Sequence, residues 1–177
     1  MNRLTLAAGA VAACAALAPA ASSIAASSPG DSVIGSGKLP STPSGCVNDL
    51  TVVAHSGPNG GNPGGSLSYD DNECARYFIG DVSCLRVEGN RASIVAEFRQ
   101  NEADERFAGL VVFYEDNGPP VNGTPADFQQ NRRLTSSQLA KQQAKGCPAP
   151  IHPVTRLTQG NLKIRDRTAG TTNTRTG

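Results

Sequence analysis

The stretch DVSCLRVEGNRASIVAEF, Asp81 to Phe98, reads as two β-strands joined at Gly89-Asn90. A two-residue Gly-Asn connection supplies side chains that tolerate positive φ, which a tight hairpin demands. If Glu88 opposes Arg91, then Val87 opposes Ala92, Leu85 opposes Ile94 and Ser83 opposes Ala96. That set, with Phe98 extending it, defines a core-facing side. Cys84 then falls on the other face beside Val95, so that face must be partly covered as well. A disulfide from Cys84 to a distant segment would cover it.

Outward from the hairpin the same period-two pattern recurs. Further strands are expected over Leu50 to His55, Ser66 to Tyr69, Tyr77 to Gly80, Gly109 to Glu115 and Asn161 to Arg165. Leu110-Val111-Val112-Phe113 is apolar on both faces, as a central strand should be. Short strands bounded by Gly, Pro, Asn and Asp indicate an all-β domain, an antiparallel β-sandwich or barrel. One short helix is expected in the long late connection. Ser136-Ser137 can cap it, QLAKQQAK holds good helix formers, and Gly146 stops it.

The amino terminus carries a different signal. Arg3 is followed by the small-residue apolar run LTLAAGAVAACAALA, and Ala18-Pro19-Ala20 or Ser23-Ile24-Ala25 offers a cleavage site. The run meets Pro19 and two serines too early for a membrane-spanning helix, which needs ~20 apolar residues. Residues 1–26 are therefore expected to be a signal peptide that directs secretion, leaving no transmembrane segment. Val11-Ala12-Ala13-Cys14 resembles a lipobox, so a lipoprotein anchored through Cys14 is the minor alternative. Residues 27–45 and 168–177 are rich in Ser, Thr, Gly and Pro. They are expected to form a flexible N-terminal segment and a disordered tail around a β domain over 46–167.

Four cysteines follow the signal: Cys46, Cys74, Cys84 and Cys147. In an exported chain an even number reads as two disulfides, for which four cysteines allow three connectivities. Pairing Cys84 with Cys147 would pin the helical connection to the sheet and leave Cys46 for Cys74; this is the preferred arrangement, with the others open. His55 and His152 are the only histidines and no CxxC-type spacing occurs, so no metal or cofactor is expected.

The chain carries a formal net charge of +1, unevenly placed. Residues 31–126 hold six Lys/Arg against thirteen Asp/Glu, and residues 127–177 hold nine against two. A basic half can bind nucleic acid or an anionic envelope polymer. The cations are spread out and lack interleaved aromatics, so nucleic acid is not expected, and mutual neutralisation of the two halves is the preferred reading.

Other candidates are weighed against plainer roles. The loop SGPNGGNPGGS, Ser56 to Ser66, lacks the context of a phosphate loop and reads as a flexible connection. Asp70-Asp71-Asn72-Glu73 and Glu115-Asp116-Asn117-Gly118 could supply calcium ligands, but neither has EF-hand spacing and both have turn composition. No pair of carboxylates is singled out for glycoside hydrolysis, and His55 has no identifiable nucleophile partner. Tyr69, Tyr77 and Tyr114 read as core-edge residues. Asn122-Gly123-Thr124 matches a glycosylation acceptor.

VSCLRVEGNRASI, VVFYEDNGPP, the cysteine in GCPAP and the closing QGNLKIRD together resemble a group of secreted bacterial proteins common in actinobacteria. The likeness spans most of residues 35–166, including IGSGKLP and AHSGPNGGNPGG, and the hairpin is its most specific part. The group's one hairpin cysteine and one late cysteine match Cys84 and Cys147, which supports that pairing and makes Cys46 and Cys74 an addition. The resemblance carries no catalytic residue. The expected function is a non-enzymatic binding or envelope/extracellular structural domain, its partner an extracellular or envelope component. The alternative is a small secreted hydrolase acting on polysaccharide or peptide.

Overall fold

The computed structural model describes residues 30–40, 45, 48–57, 60–71, 76–101 and 104–167. The expected signal peptide over 1–26, Cys14, Cys46, Cys74, Asn72, Glu73 and the tail over 168–177 lie outside the described residues.

The described residues are all-β with one helix. The strands are β1 (Ser32–Lys38), β2 (Asp49–His55), β3 (Gly64–Asp71), β4 (Arg76–Glu88), β5 (Arg91–Asn101), β6 (Gly109–Glu115), β7 (Phe128–Leu134), β8 (Thr155–Arg156) and β9 (Gln159–Arg165). The helix, α1, spans Ser136–Lys145 between β7 and β8. All strands pair antiparallel in one sheet of order β8-β7-β6-β5-β4-β3-β2-β1-β9. A sandwich would need two stacked sheets; here one strongly curled sheet folds round its own core.

The curl is visible in the connectivity. β8 and β9 lie at opposite edges of the sheet, yet only Leu157 and Thr158 separate them. The Leu157 N–H donates to Asp127 O at 3.0 Å, and the next amide, Thr158, donates to Lys38 O at 2.8 Å. Successive amides thus bond to the two sides of the sheet, which brings the β7 side against the β1 side. One face of the curled sheet supplies a single interior: Val33, Leu50, Val52, Leu67, Leu85, Ile94, Val112 and Leu162 all pack into it. Burial of one apolar side chain is worth ~1.5–3 kcal/mol, so this face dominates the stabilisation.

The hairpin register agrees with the sequence at its tip and departs further down. Glu88 faces Arg91, Val87 faces Ala92 and Leu85 faces Ile94. Ser83 does not oppose Ala96; the register shifts between Val82 and Cys84, so Val82 takes that place and Ser83 projects outward. An extra residue in one strand is a β-bulge, which sharpens the local bend, and a second irregularity follows at Ile79/Gly80. Bulged and continuous, β4 absorbs the strand expected separately at Tyr77 to Gly80.

Three strands were not anticipated: β1, β7 and the two-residue β8. The flexible segment expected over 27–45 contains β1, paired with both β2 and β9. Its Ser/Gly composition is itself structural, because a Cβ on Gly35 would lie 2.4 Å from Asn161 O and one on Gly160 (φ 97°) 2.1 Å from Ser36 O. Glycine lets the two backbones approach where any side chain would collide. β7, with the sequence FQQNRRL, was missed because its polar residues conceal the alternation. The loop expected over Ser56 to Ser66 is shorter, since β3 begins at Gly64.

Candidate functional site

The end of the sheet that carries the Gly89-Asn90 turn is closed by aspartates. β9 is an edge strand whose pairing with β1 uses alternate amides, leaving the others to find acceptors. Leu162 N–H donates to Asp127 Oδ2 at 2.6 Å, and Ile164 N–H to Asp116 Oδ2 at 2.9 Å. The same two carboxylates organise the 116–127 loop: Asn117 N–H reaches Asp127 Oδ1 at 3.0 Å and Gly118 N–H reaches Asp116 Oδ1 at 2.8 Å. Asp166 accepts from the Gly89 amide at the hairpin tip, and Asp31 accepts from Arg167 N–H. Side-chain carboxylates here do the work of a missing neighbouring strand.

Asp127 is fully buried. Burial pushes its carboxyl above the ordinary value, the amides of Leu162 and Asn117 pull the other way, and the Asp116 charge adds to the rise. The turn Glu115 to Gly118, considered above for calcium, is therefore a hydrogen-bonded closure. Among the described residues no three His, Cys, Asp or Glu side chains converge as a metal site.

The acids and histidine singled out from the sequence do not share a cleft. Asp70 pairs with Asp49 at one end of β2 and β3, while His55 faces Gly64 at the other. Glu115 and Asp116 lie at the His55 end, but three strands separate β6 from β2. Asp71 ends β3 beside Asp70. The chain does make one contact that sequence reasoning missed: His152 Nδ1 lies 2.9 Å from Glu115 Oε2, with His152 exposed and Glu115 largely covered. A sequence separation of 37 left no local signal for it.

Polar groups also enter the barrel interior. Tyr69 and Tyr114 are buried core residues rather than core-edge ones, while Tyr77 is half-buried. Tyr69 Oη donates to Gln129 Oε1 of β7 at 3.0 Å, across the inside of the sheet. The Tyr114 hydroxyl lies beside that of Tyr69 without an aligned hydrogen bond. Burial pushes the Tyr69 phenol up to about 12, partly offset by the nearby polar side chains of Tyr114 and Asn131. Tyr114 is raised as well, again by burial first. Neither phenol ionises near neutrality. Toward the far end, the rings of Tyr69, Phe78 and Phe98 stack at 4.8 and 4.7 Å, and Arg133 lies over Phe78 and Phe107.

The outer face of the hairpin is covered as the position of Cys84 required. Cys84 and Cys147 form a disulfide with Cα atoms 5.6 Å apart. Val95, Val111, Leu134 and Leu139 form a second apolar cluster, so α1 rests on β5, β6 and β7 through Leu139. The helix starts one residue earlier than the expected Ser136-Ser137 cap: Thr135 is the N-cap, and its amide donates to Gln138 Oε1 at 2.9 Å in a capping box. Gly146, at φ 78°, ends it as expected. Between α1 and β7 runs a groove of about 160 Å³ lined by Arg132, Leu134, Gln138, Lys141, Gln142 and Lys145.

The ion pairs revise the expected neutralisation of the two halves. Those among the described residues join Lys38 to Asp49, Arg86 to Glu88, Arg99 to Asp81 and Arg106 to Asp104, all within the acidic half, besides His152 to Glu115. The sheet brings together acids and bases close in sequence or on adjacent strands, and leaves the described Lys and Arg of β7, α1, β8 and β9 facing solvent or aromatic rings, with Arg133 also near Asp104. The acceptor Asn122-Gly123-Thr124 is an exposed turn closed by reciprocal Val121 and Thr124 hydrogen bonds. Among the described residues no helix is long and apolar enough to cross a membrane. Comparison of the chain with protein-family models, curated proteins and solved structures returns no match.

Proposed function

We propose that the protein is an exported domain that acts by binding an extracellular or envelope component, not by turning a substrate over. The observation that carries this reading is the employment of its acids: Asp31, Asp116, Asp127 and Asp166 each accept a backbone amide that closes the sheet. A carboxylate held by structural amides is poorly placed to exchange protons with a substrate. The filled interior and the disulfide-pinned helix provide a rigid scaffold, and rigid scaffolds present binding surfaces with little ordering cost. The charged start, apolar run and small-residue cleavage motif of residues 1–26 support export. So does the disulfide, which belongs to oxidising compartments.

The test is to incubate the purified secreted chain with cell-envelope fractions and a panel of glycan and peptide substrates. Retention on an envelope polymer without release of products is expected. Turnover of any substrate overturns the reading.

One observation favours a hydrolase, namely the exposed His152 against Glu115. An imidazole oriented by a carboxylate is a common general base, although no nucleophile or oxyanion donor accompanies it among the described contacts. On that alternative, Glu115→Gln would abolish whatever turnover the panel reveals.

A further inference from the structure

The groove between α1 and β7 presents three cations and no acid. Lys141 and Lys145 are one helical turn apart, ~6 Å along the axis, and stand on one face of α1 with Gln138 and Gln142. Arg132 faces them from β7. All three cationic side chains are exposed, and none forms an ion pair with a carboxylate among the described residues. The carboxylate that reaches the helix, Glu97, meets Gln143 at 3.4 Å.

The groove is also held at both ends. The Thr135/Gln138 capping box fixes the start of α1. At the other end Gln142 Nε2 donates to Gly146 O at 2.9 Å, and the next residue, Cys147, is bonded to the sheet through Cys84. Cations kept apart by a fixed scaffold repel one another at a distance comparable with the ~8 Å screening length. A ligand with negative groups repeating along its length relieves that repulsion, and the Arg132 guanidinium adds a planar donor fork suited to phosphate or sulfate oxygens.

We propose that this groove binds a linear polyanion through phosphate or sulfate groups, the amide side chains of Gln138 and Gln142 donating to the oxygens between the charges. The proposal rests on the reading of the chain as a binding domain and gives that reading its ligand class. A nucleic acid is disfavoured because the lining carries no aromatic ring on which bases would stack.

The experiment titrates the full secreted chain with inorganic polyphosphate, with heparin and with a mixed-sequence single-stranded DNA, at two or more salt concentrations. Lys141→Glu/Lys145→Glu is compared with wild type and with Lys163→Glu, a change on β9 outside the groove. Near-ultraviolet circular dichroism and a free-thiol assay confirm that each variant is folded and oxidised. Polyphosphate or heparin should bind wild type, the double variant should bind at least about ten-fold more weakly, and the dependence of log affinity on log salt should flatten by about two contacts. Lys163→Glu should stay within about two-fold. Comparing polyphosphate with heparin separates a phosphate from a sulfate ligand.

Equal losses in both variants, no binding to either polymer, or tighter binding to DNA than to both would overturn the groove proposal. Envelope retention by the double variant distinguishes that failure from failure of the binding-domain reading. A folded double variant that still adheres to envelope material leaves the domain a binder with another site.

Discussion

Replacing Asp127 with alanine tests whether carboxylates close the sheet. The substitution removes the acceptors of two amides, Leu162 at 2.6 Å and Asn117 at 3.0 Å, and the first of these bonds is buried. A hydrogen bond to a charged acceptor contributes ~1.5–3 kcal/mol, so the two together are worth roughly 3–6 kcal/mol. Part is returned, because burial of the carboxylate is itself unfavourable, as its raised pKa shows. A net loss of about 3 kcal/mol is expected, which for a domain of this size lowers Tm by roughly 10 °C.

Thermal and urea denaturation measure the loss, and amide hydrogen exchange at Leu162 and Ile164 locates it. The sign of the pH response follows from the direction of the shift. A carboxyl whose folded pKa lies above its unfolded value contributes most below the unfolded value and loses that contribution as pH rises through the folded one. Stability of the wild type relative to the non-titrating Asp127→Asn should therefore improve as pH falls from 7 through the carboxylate range. A loss below about 0.5 kcal/mol in Asp127→Ala, with unchanged exchange at Leu162, would refute the closure mechanism.

Three other perturbations have worked outcomes. Cys84→Ser/Cys147→Ser opens a crosslink spanning a sequence separation of 63 residues; the chain-entropy relation gives a cost of about 4 kcal/mol, measurable by urea denaturation. Tyr69→Phe leaves Gln129 Oε1 buried without its donor and should cost ~1–3 kcal/mol, whereas Tyr114→Phe should stay within about 0.5 kcal/mol in the same assay. Gly160→Ala combines positive φ with a Cβ 2.1 Å from Ser36 O and should separate β9 from β1, read as faster exchange of the Leu162 amide and a lower Tm.

Local alternation along the chain was enough to specify the parts of this protein that rest on neighbouring residues. Gly89-Asn90 with Val87, Leu85, Ala92 and Ile94 on one side specified the hairpin and its register near the tip, because a period of two leaves one way to bury that set. It also placed Cys84 on the opposite face, where α1 and Cys147 arrive. What the sequence left hidden depends on neighbours distant along the chain. The bulge at Ser83 arises from how β4 bends in the curled sheet. β1 could not be read because Gly35 and Gly37 are explained only by the backbone of β9. Asp116 reads as a turn acid and Asp127 carries no signal until β9, whose Leu162 lies 35 residues beyond Asp127, brings amides to both. The groove likewise exists only once α1 lies beside β7. Strand pattern is a property of adjacent residues, whereas closure, cavities and the partners of charged groups are set by which edges the fold brings together.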